Sequence, residues 1–181
     1  MLKRIIATRG LFRYSARLME RDWTEELLAR WAKEQPGLDL RPYLATARIS
    51  RMAQHIARSQ ETVFARFGLN RGEVGVLSAL RTAGAKDRLS PTRLFKGLML
   101  SSAGMTSRLD RLERRSLIRR VRDPADRRGV LIEITAQGRR MVDEAVAANT
   151  TAERELLAGL STRETEALSR LLRKLLSVVE R

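Results

Sequence analysis

The sequence predicts a mostly α fold with one small β-hairpin, on three observations. Aromatic residues make up 4% of a chain that is 43% hydrophobic, so its core draws on Leu, Ala, Val, Ile and Met, which favours helix-on-helix packing over stacked sheets. Two β-branched runs with partial alternation, residues 117–122 and 130–135, flank the turn-forming stretch Asp123-Pro124-Ala125-Asp126-Arg127-Arg128-Gly129. Elsewhere apolar residues recur at helical intervals between capping signals. At 181 residues the chain is one domain, or one domain with helical extensions, and long enough to bury a core.

Taken in order, residues 1–20 form a basic extension. Lys3, Arg4, Arg9, Arg13 and Arg17 stand there against the single acid Glu20. A transit peptide, a DNA-binding arm, or sequence upstream of a true start at Met19 would each explain it, and the last is favoured because the apolar region needed for secretion is missing. Residues 21–33 make a helix with Trp23, Leu27, Leu28 and Trp31 on or near one side, ended by Pro36-Gly37. A longer helix starts at Asp39 or Leu40, with Pro42 in its first turn. It carries Ile49, Met52, Ile56, Val63 and Phe67, and Gly68 closes it. Residues 71–80 follow as a third helix bearing Val74, Val76, Leu77 and Leu80, and Gly84 ends it.

Ser90-Pro91 pairs an N-cap hydroxyl with a proline lacking the N–H that a first turn leaves unpaired, so a helix begins there and carries Leu94 and Leu98. Leu100-Ser101-Ser102 interrupts the pattern and caps another helix running to about Arg115. Projected at roughly 100° per residue, this second helix places Met105, Leu109 and Leu112 on a core stripe and Ala103, Ser107, Asp110, Arg111 and Arg114 opposite, with Thr106 beside them. Ser101, Ser102, Ala103, Thr106 and Ser107 are small enough for close approach to base edges, and Arg111 can reach a guanine or a phosphate. A solvated amphipathic helix would show the same face. The hairpin after it decides between them: its tip carries Arg127 and Arg128, suited to a narrow minor groove or flanking phosphates, with Asp126 placed to orient an arginine. A helix-turn-helix followed by a basic hairpin is a winged helix, and double-stranded DNA is the expected partner.

Past the hairpin, a helix is expected from about residue 139 to 157. Ser161-Thr162-Arg163-Glu164 is a capping box that starts the last helix. Leu168, Leu171, Leu172, Leu175, Leu176 and Val179 give that helix a broad apolar face that needs a partner, and antiparallel helices from both ends of the chain supply one across a two-fold axis. The expected organisation is the extension at 1–20, N-terminal helices for dimerisation and a ligand pocket at 21–68, the winged helix-turn-helix at 69–138, and dimerisation helices at 139–181.

Charge and composition bound the function. The net charge is +15 and the sequence pI about 11.5, which calls for a polyanionic partner. RNA and membrane phosphates satisfy that as well as DNA. Between Arg93 and Arg140, however, Lys and Arg number thirteen against five acids, so the surplus sits on the winged helix. The absence of cysteine excludes thiol-based oxidant sensing and thiolate ligation and is compatible with a reducing cytoplasm. His55 is the only histidine and has no second histidine to complete a zinc site. No metal or cofactor is expected. The chain offers no histidine pair, glycine-rich phosphate loop or nucleophile–base pair for an enzyme. No run approaches the roughly 18 to 20 apolar residues of a membrane span. A ligand-independent architectural protein bound to DNA or RNA remains the alternative to a sequence-specific regulator.

The run Leu100-Ser101-Ser102-Ala103-Gly104-Met105-Thr106-Ser107-Arg108-Leu109-Asp110-Arg111-Leu112-Glu113, then Leu117-Ile118, the turn from Asp123 to Gly129 with Val130, and Ile134-Thr135-Ala136-Gln137-Gly138 closely resemble the MarR family of bacterial transcriptional regulators. The resemblance covers the chain from about Leu44 onward. The added N-terminal helix with Asp22-Trp23 resembles the urate-responsive, PecS-like branch, and family-like sequence begins almost at Met19. It implies a cytoplasmic, nucleoid-associated homodimeric repressor bound to a pseudo-palindromic operator. It also implies a small anionic or aromatic ligand between the dimer helices and the winged helix that lowers DNA affinity. Trp23, Arg108 and Arg120 match three pocket positions of urate-responsive relatives, while Gly75 stands where they carry an aspartate. Independently, Arg108 projects about 60° from the apolar stripe, away from the DNA-facing arc. Glu73 is a poor substitute for the missing acid, because two residues along a helix is roughly 200° around it.

Overall fold

The computed structural model describes residues 22–84, 88–98, 102–126 and 129–180. Its elements are α1 (Trp23–Glu34), α2 (Arg41–Ala65), α3 (Arg71–Arg81), β1 (Arg88–Leu89), α4 (Pro91–Leu98), α5 (Ser102–Arg114), β2 (Ile118–Arg122), β3 (Val130–Ile134), α6 (Ala136–Leu156) and α7 (Thr162–Val179). The described residues divide into two compact units, one ending at His55 and the other beginning at Ile56.

In the first unit, Asp22 caps α1 by accepting from Glu25 N at 2.9 Å. Arg48, on α2, donates to Asp22 at 2.7 Å and to Glu25 at 3.0 Å, which fastens the start of α1 to α2. The backbone N–H of Glu25 and the Arg48 guanidinium hold the Asp22 carboxyl below its ordinary range, against the opposing effect of burial.

The second unit is built around α3. Val74, Val76, Leu77 and Leu80 are buried on it, and it packs against α4, α5, α6 and β3. The core continues through Leu94 of α4, Met105, Leu109 and Leu112 of α5, Ile118 of β2, Ile132 and Ile134 of β3, and Val142 and Ala145 of α6. The sheet is antiparallel and three-stranded, in the order β1-β3-β2, with Ile118 opposite Ile134, Arg120 opposite Ile132, and Arg88 opposite Glu133. The expected hairpin is therefore two strands of a larger sheet. A two-residue strand has no periodicity to read, and β1 owes its place to pairing along β3. There Glu133, buried on β3, accepts from Arg88 at 2.6 Å and from Arg119 at 2.6 Å, so one carboxylate ties the three strands together.

α6 begins at Ala136, earlier than expected, because Thr135 is its N-cap and Gly138 lies inside its first turn. The Thr135 hydroxyl also donates to Ser116 O at 2.8 Å. A Cβ on Gly138 would stand 2.1 Å from the carbonyl oxygen of Leu117, so only glycine lets α6 start this close to the α5–β2 connection. The last helix starts as expected: Ser161 and Glu164 form the reciprocal capping box of α7.

Candidate nucleic-acid interface and ligand cleft

α5 owes its orientation to the stripe that the periodicity picks out, since Met105, Leu109 and Leu112 are at most 3% exposed. Thr106, Ser107 and Arg114 lie exposed on the other side. Ser102 and Ala103 form the first turn of the helix. Ser101, Arg127 and Arg128 lie outside the described residues. Where the turn of the wing is described, Asp123 Oδ1 accepts from Ala125 N at 2.9 Å, and Asp123 N donates to Gly129 O at 3.0 Å. The side chain therefore shapes the turn next to the expected arginines.

Arg111 is held on two sides. Its Nε donates to Glu73 Oε1 at 2.8 Å and its Nη1 to Ser107 Oγ at 3.0 Å. Glu73 is also part of the α3 capping box: its Oε2 accepts from Asn70 N at 3.0 Å while Asn70 Oδ1 accepts from Glu73 N at 2.9 Å. Arg120, on β2, donates to Asp110 at 2.6 Å and to Glu113, both on α5, and so joins β2 to α5. The Asp110 carboxylate, aided by Glu113 and opposed by burial, holds the Arg120 guanidinium above its ordinary pKa, so the group stays protonated.

On another side of α3 lies a cleft of about 390 Å³ lined by Glu61, Asn70, Arg71, Gly72, Gly75, Leu98 and Arg108. Arg108 Nε is buried there and meets no acceptor among the described residues. A Cβ on Gly72 would stand 2.1 Å from that atom, so the bare backbone of α3 makes room for the arginine. Gly75 differs: a Cβ on it would meet only Leu98, at 3.4 Å, and a side chain fits. An unpaired guanidinium nitrogen away from water is costly, and a bound anion would satisfy it.

Of the three sequence-predicted pocket residues, Arg108 lines this cleft together with Gly75, the position of the missing acid. Arg120 is engaged by Asp110 and Glu113 and does not line it. Trp23, in the other unit, is 58% exposed, and the guanidinium of Arg51 sits 5.0 Å from the centre of its ring. Sequence reasoning missed Gly72, Glu61 and Leu98 as cleft residues and Glu73 as a partner of Arg111. The pattern Asn70-x-x-Glu73 is a capping signal that the reading of the third helix did not use, and nothing local indicates that its acid also reaches an arginine on another helix. Among the described residues no group of His, Cys, Asp or Glu side chains could hold a metal ion, and no helix is long and apolar enough to cross a membrane.

A helix-turn-helix with a polar, arginine-bearing outer face, braced by a small basic sheet, defines a winged-helix DNA-binding regulator. The model of the MarR family matches residues 67–129. The chain is 34% identical to the HTH-type transcriptional regulator PecS of Dickeya dadantii, over 81% of its own length and 89% of that protein's. It superimposes on a mutant MarR of Escherichia coli complexed with operator DNA at a TM-score of 0.66 and 25% identity, covering 76% of this chain and 97% of that one. BpsR of Bordetella bronchiseptica, whose DNA binding is regulated by 6-hydroxynicotinic acid, aligns at a TM-score of 0.64 and 29% identity, over 72% of this chain and 91% of that one. The chain belongs to the MarR family of transcriptional regulators, a family of DNA-binding proteins and not of enzymes.

Proposed function

We propose that this protein is a homodimeric repressor that binds a pseudo-palindromic operator and is weakened on DNA by a small anion. The observation that carries the proposal is the cleft beside α5, in which Arg108, a residue of that helix, keeps a buried nitrogen without an acceptor among the described residues. In this reading Ser101, Ser102, Ala103, Thr106, Ser107 and Arg111 meet the major groove, Arg127 and Arg128 hold the flanking minor groove or phosphates, and Arg108, Arg120 and Trp23 serve the ligand. The site of action is the chromosome in the cytoplasm. The dimer is supported by the exposed leucines of α7, of which Leu171 is 63% and Leu175 55% exposed. The family's DNA-bound and ligand-regulated structures support the rest.

Switching follows from the place of Arg108. An anion bound in the cleft draws on a residue of the helix that faces DNA, while Arg120, outside the cleft, keeps its pairs with Asp110 and Glu113. Gly75 removes one carboxylate from the cleft wall, which relieves like-charge repulsion with an anion but also removes a group that would push back on it. Binding and release therefore come apart: urate-like anions bind, but dislodge DNA poorly. Titrating urate into the protein–operator complex tests this for the parent and Gly75→Asp. The expected outcome is weak release by the parent and stronger release by the variant. Efficient release by the parent with no gain in the variant overturns the switching reading, and equal affinity for operator and random DNA favours an architectural role.

A further inference from the structure

Arg111 has the geometry of a pre-aimed group. Glu73, with its side chain only 5% exposed, holds Nε, while the Arg111 side chain is 40% exposed. Ser107 holds Nη1 from one turn back along α5. An arginine carries more N–H donors than these bonds use, and Nη2 has no partner among the described residues. Glu73 is itself immobilised, because its second carboxylate oxygen closes the capping box with Asn70 and its backbone is in the first turn of α3. A rigid element thus fixes the plane of the guanidinium before any DNA arrives, removing part of the ordering cost that a free arginine bears on binding.

We propose that Glu73 is the positioning residue of the DNA-reading surface: from α3 it holds Arg111 of α5 so that the N–H groups left over by Glu73 and Ser107 stay in one fixed plane, and part of the operator specificity resides in a buried side chain that never meets DNA. The inference rests on the reading of α5 as the DNA-facing helix. It also explains why a capping acid in this chain is buried and paired with an arginine thirty-eight residues away. The cap occupies only Oε2, so the buried Oε1 also needs a partner, and the arginine that supplies it is on the DNA-facing helix. A lysine at 111 would keep the charge but lose the planar fork that two acceptors hold in one orientation.

The test is a double-mutant cycle on the full chain with Glu73→Gln, Arg111→Ala and their combination. Affinity is measured by fluorescence anisotropy for the operator and for a scrambled duplex of equal length across a salt series, with circular dichroism reporting the folded fraction. Arg111→Ala is expected to lower the operator-to-scrambled affinity ratio about tenfold. Glu73→Gln is expected to lower it similarly, and to add nothing once Arg111 is gone. Arg111→Lys, which retains a cation beside Glu73, keeps the affinity for scrambled DNA and loses the discrimination, and it decides the matter if Glu73→Gln does not fold. Additive losses, or discrimination intact in folded Glu73→Gln or in Arg111→Lys, overturn the positioning role while leaving Arg111 as a DNA contact. No change from Arg111→Ala on either duplex overturns the reading of α5, and the proposal with it.

Discussion

Helices α3 and α7 begin with the same device and end in opposite surroundings. Each opens on a reciprocal capping box, Asn70 with Glu73 and Ser161 with Glu164. α3 is 11 residues long and buries five of them, whereas α7 is 18 residues long and buries none. Glu73 reaches past its cap to an arginine on α5, while Glu164, among the described residues, bonds only within its own first turn. Capping chemistry therefore says where a helix starts and nothing about what it packs on. The unburied face of α7, with Leu168, Leu171, Leu175, Leu176 and Val179 all exposed, is the surface that a second chain would cover.

Substitutions on the two helices should separate accordingly. Leu77 is fully buried, and Leu77→Ala should cost about 3 kcal/mol in urea denaturation at every protein concentration. A loss under about 1 kcal/mol would mean that α3 is not the centre of the core. Leu175→Glu should instead split the proposed dimer, read by sedimentation, and abolish the dependence of melting temperature on protein concentration. An unchanged sedimentation coefficient would assign the α7 face to something other than a second chain.

Acid sharpens the contrast through Glu133, which binds strands where Glu164 binds only its own cap. The Arg119 guanidinium first and that of Arg88 after it hold the Glu133 carboxyl below its ordinary range, against burial. Its folded pKa is depressed, so its contribution to stability is present above the ordinary glutamate value, about 4.3, and is lost as pH falls through the lower folded value. Glu133→Gln should thus be destabilising near neutrality, with the gap to the parent closing in acid. A pH-independent gap in denaturant titrations would remove charge from the explanation. The smallest effect belongs to Ser161→Ala, a lost N-cap worth about 1 kcal/mol, with DNA affinity unchanged.

Much of this fold was legible because it rests on local rules. Ser90-Pro91 and the Ser161–Glu164 box start helices, Gly68 in the left-handed region at φ 64° follows the end of α2, and the stripe of Met105, Leu109 and Leu112 faces inward. What escaped rests on neighbours distant in the chain. β1 is too short to show a period and exists through β3, and the start of α6 depends on how closely Gly138 approaches Leu117. At the site, periodicity placed Arg108 off the core stripe and Arg111 on the outer arc. It did not reveal that Gly72 makes room for the first or that Glu73 restrains the second, since both facts depend on how α3 lies against α5.

Whether two copies of this chain read one operator is measured directly by a footprint on the promoter it binds, combined with the mass of the complex. The expected result is two chains per duplex and protection of a pseudo-palindrome with half-sites about one helical turn, ~34–36 Å, apart. A monomer on a single unpaired half-site would contradict it.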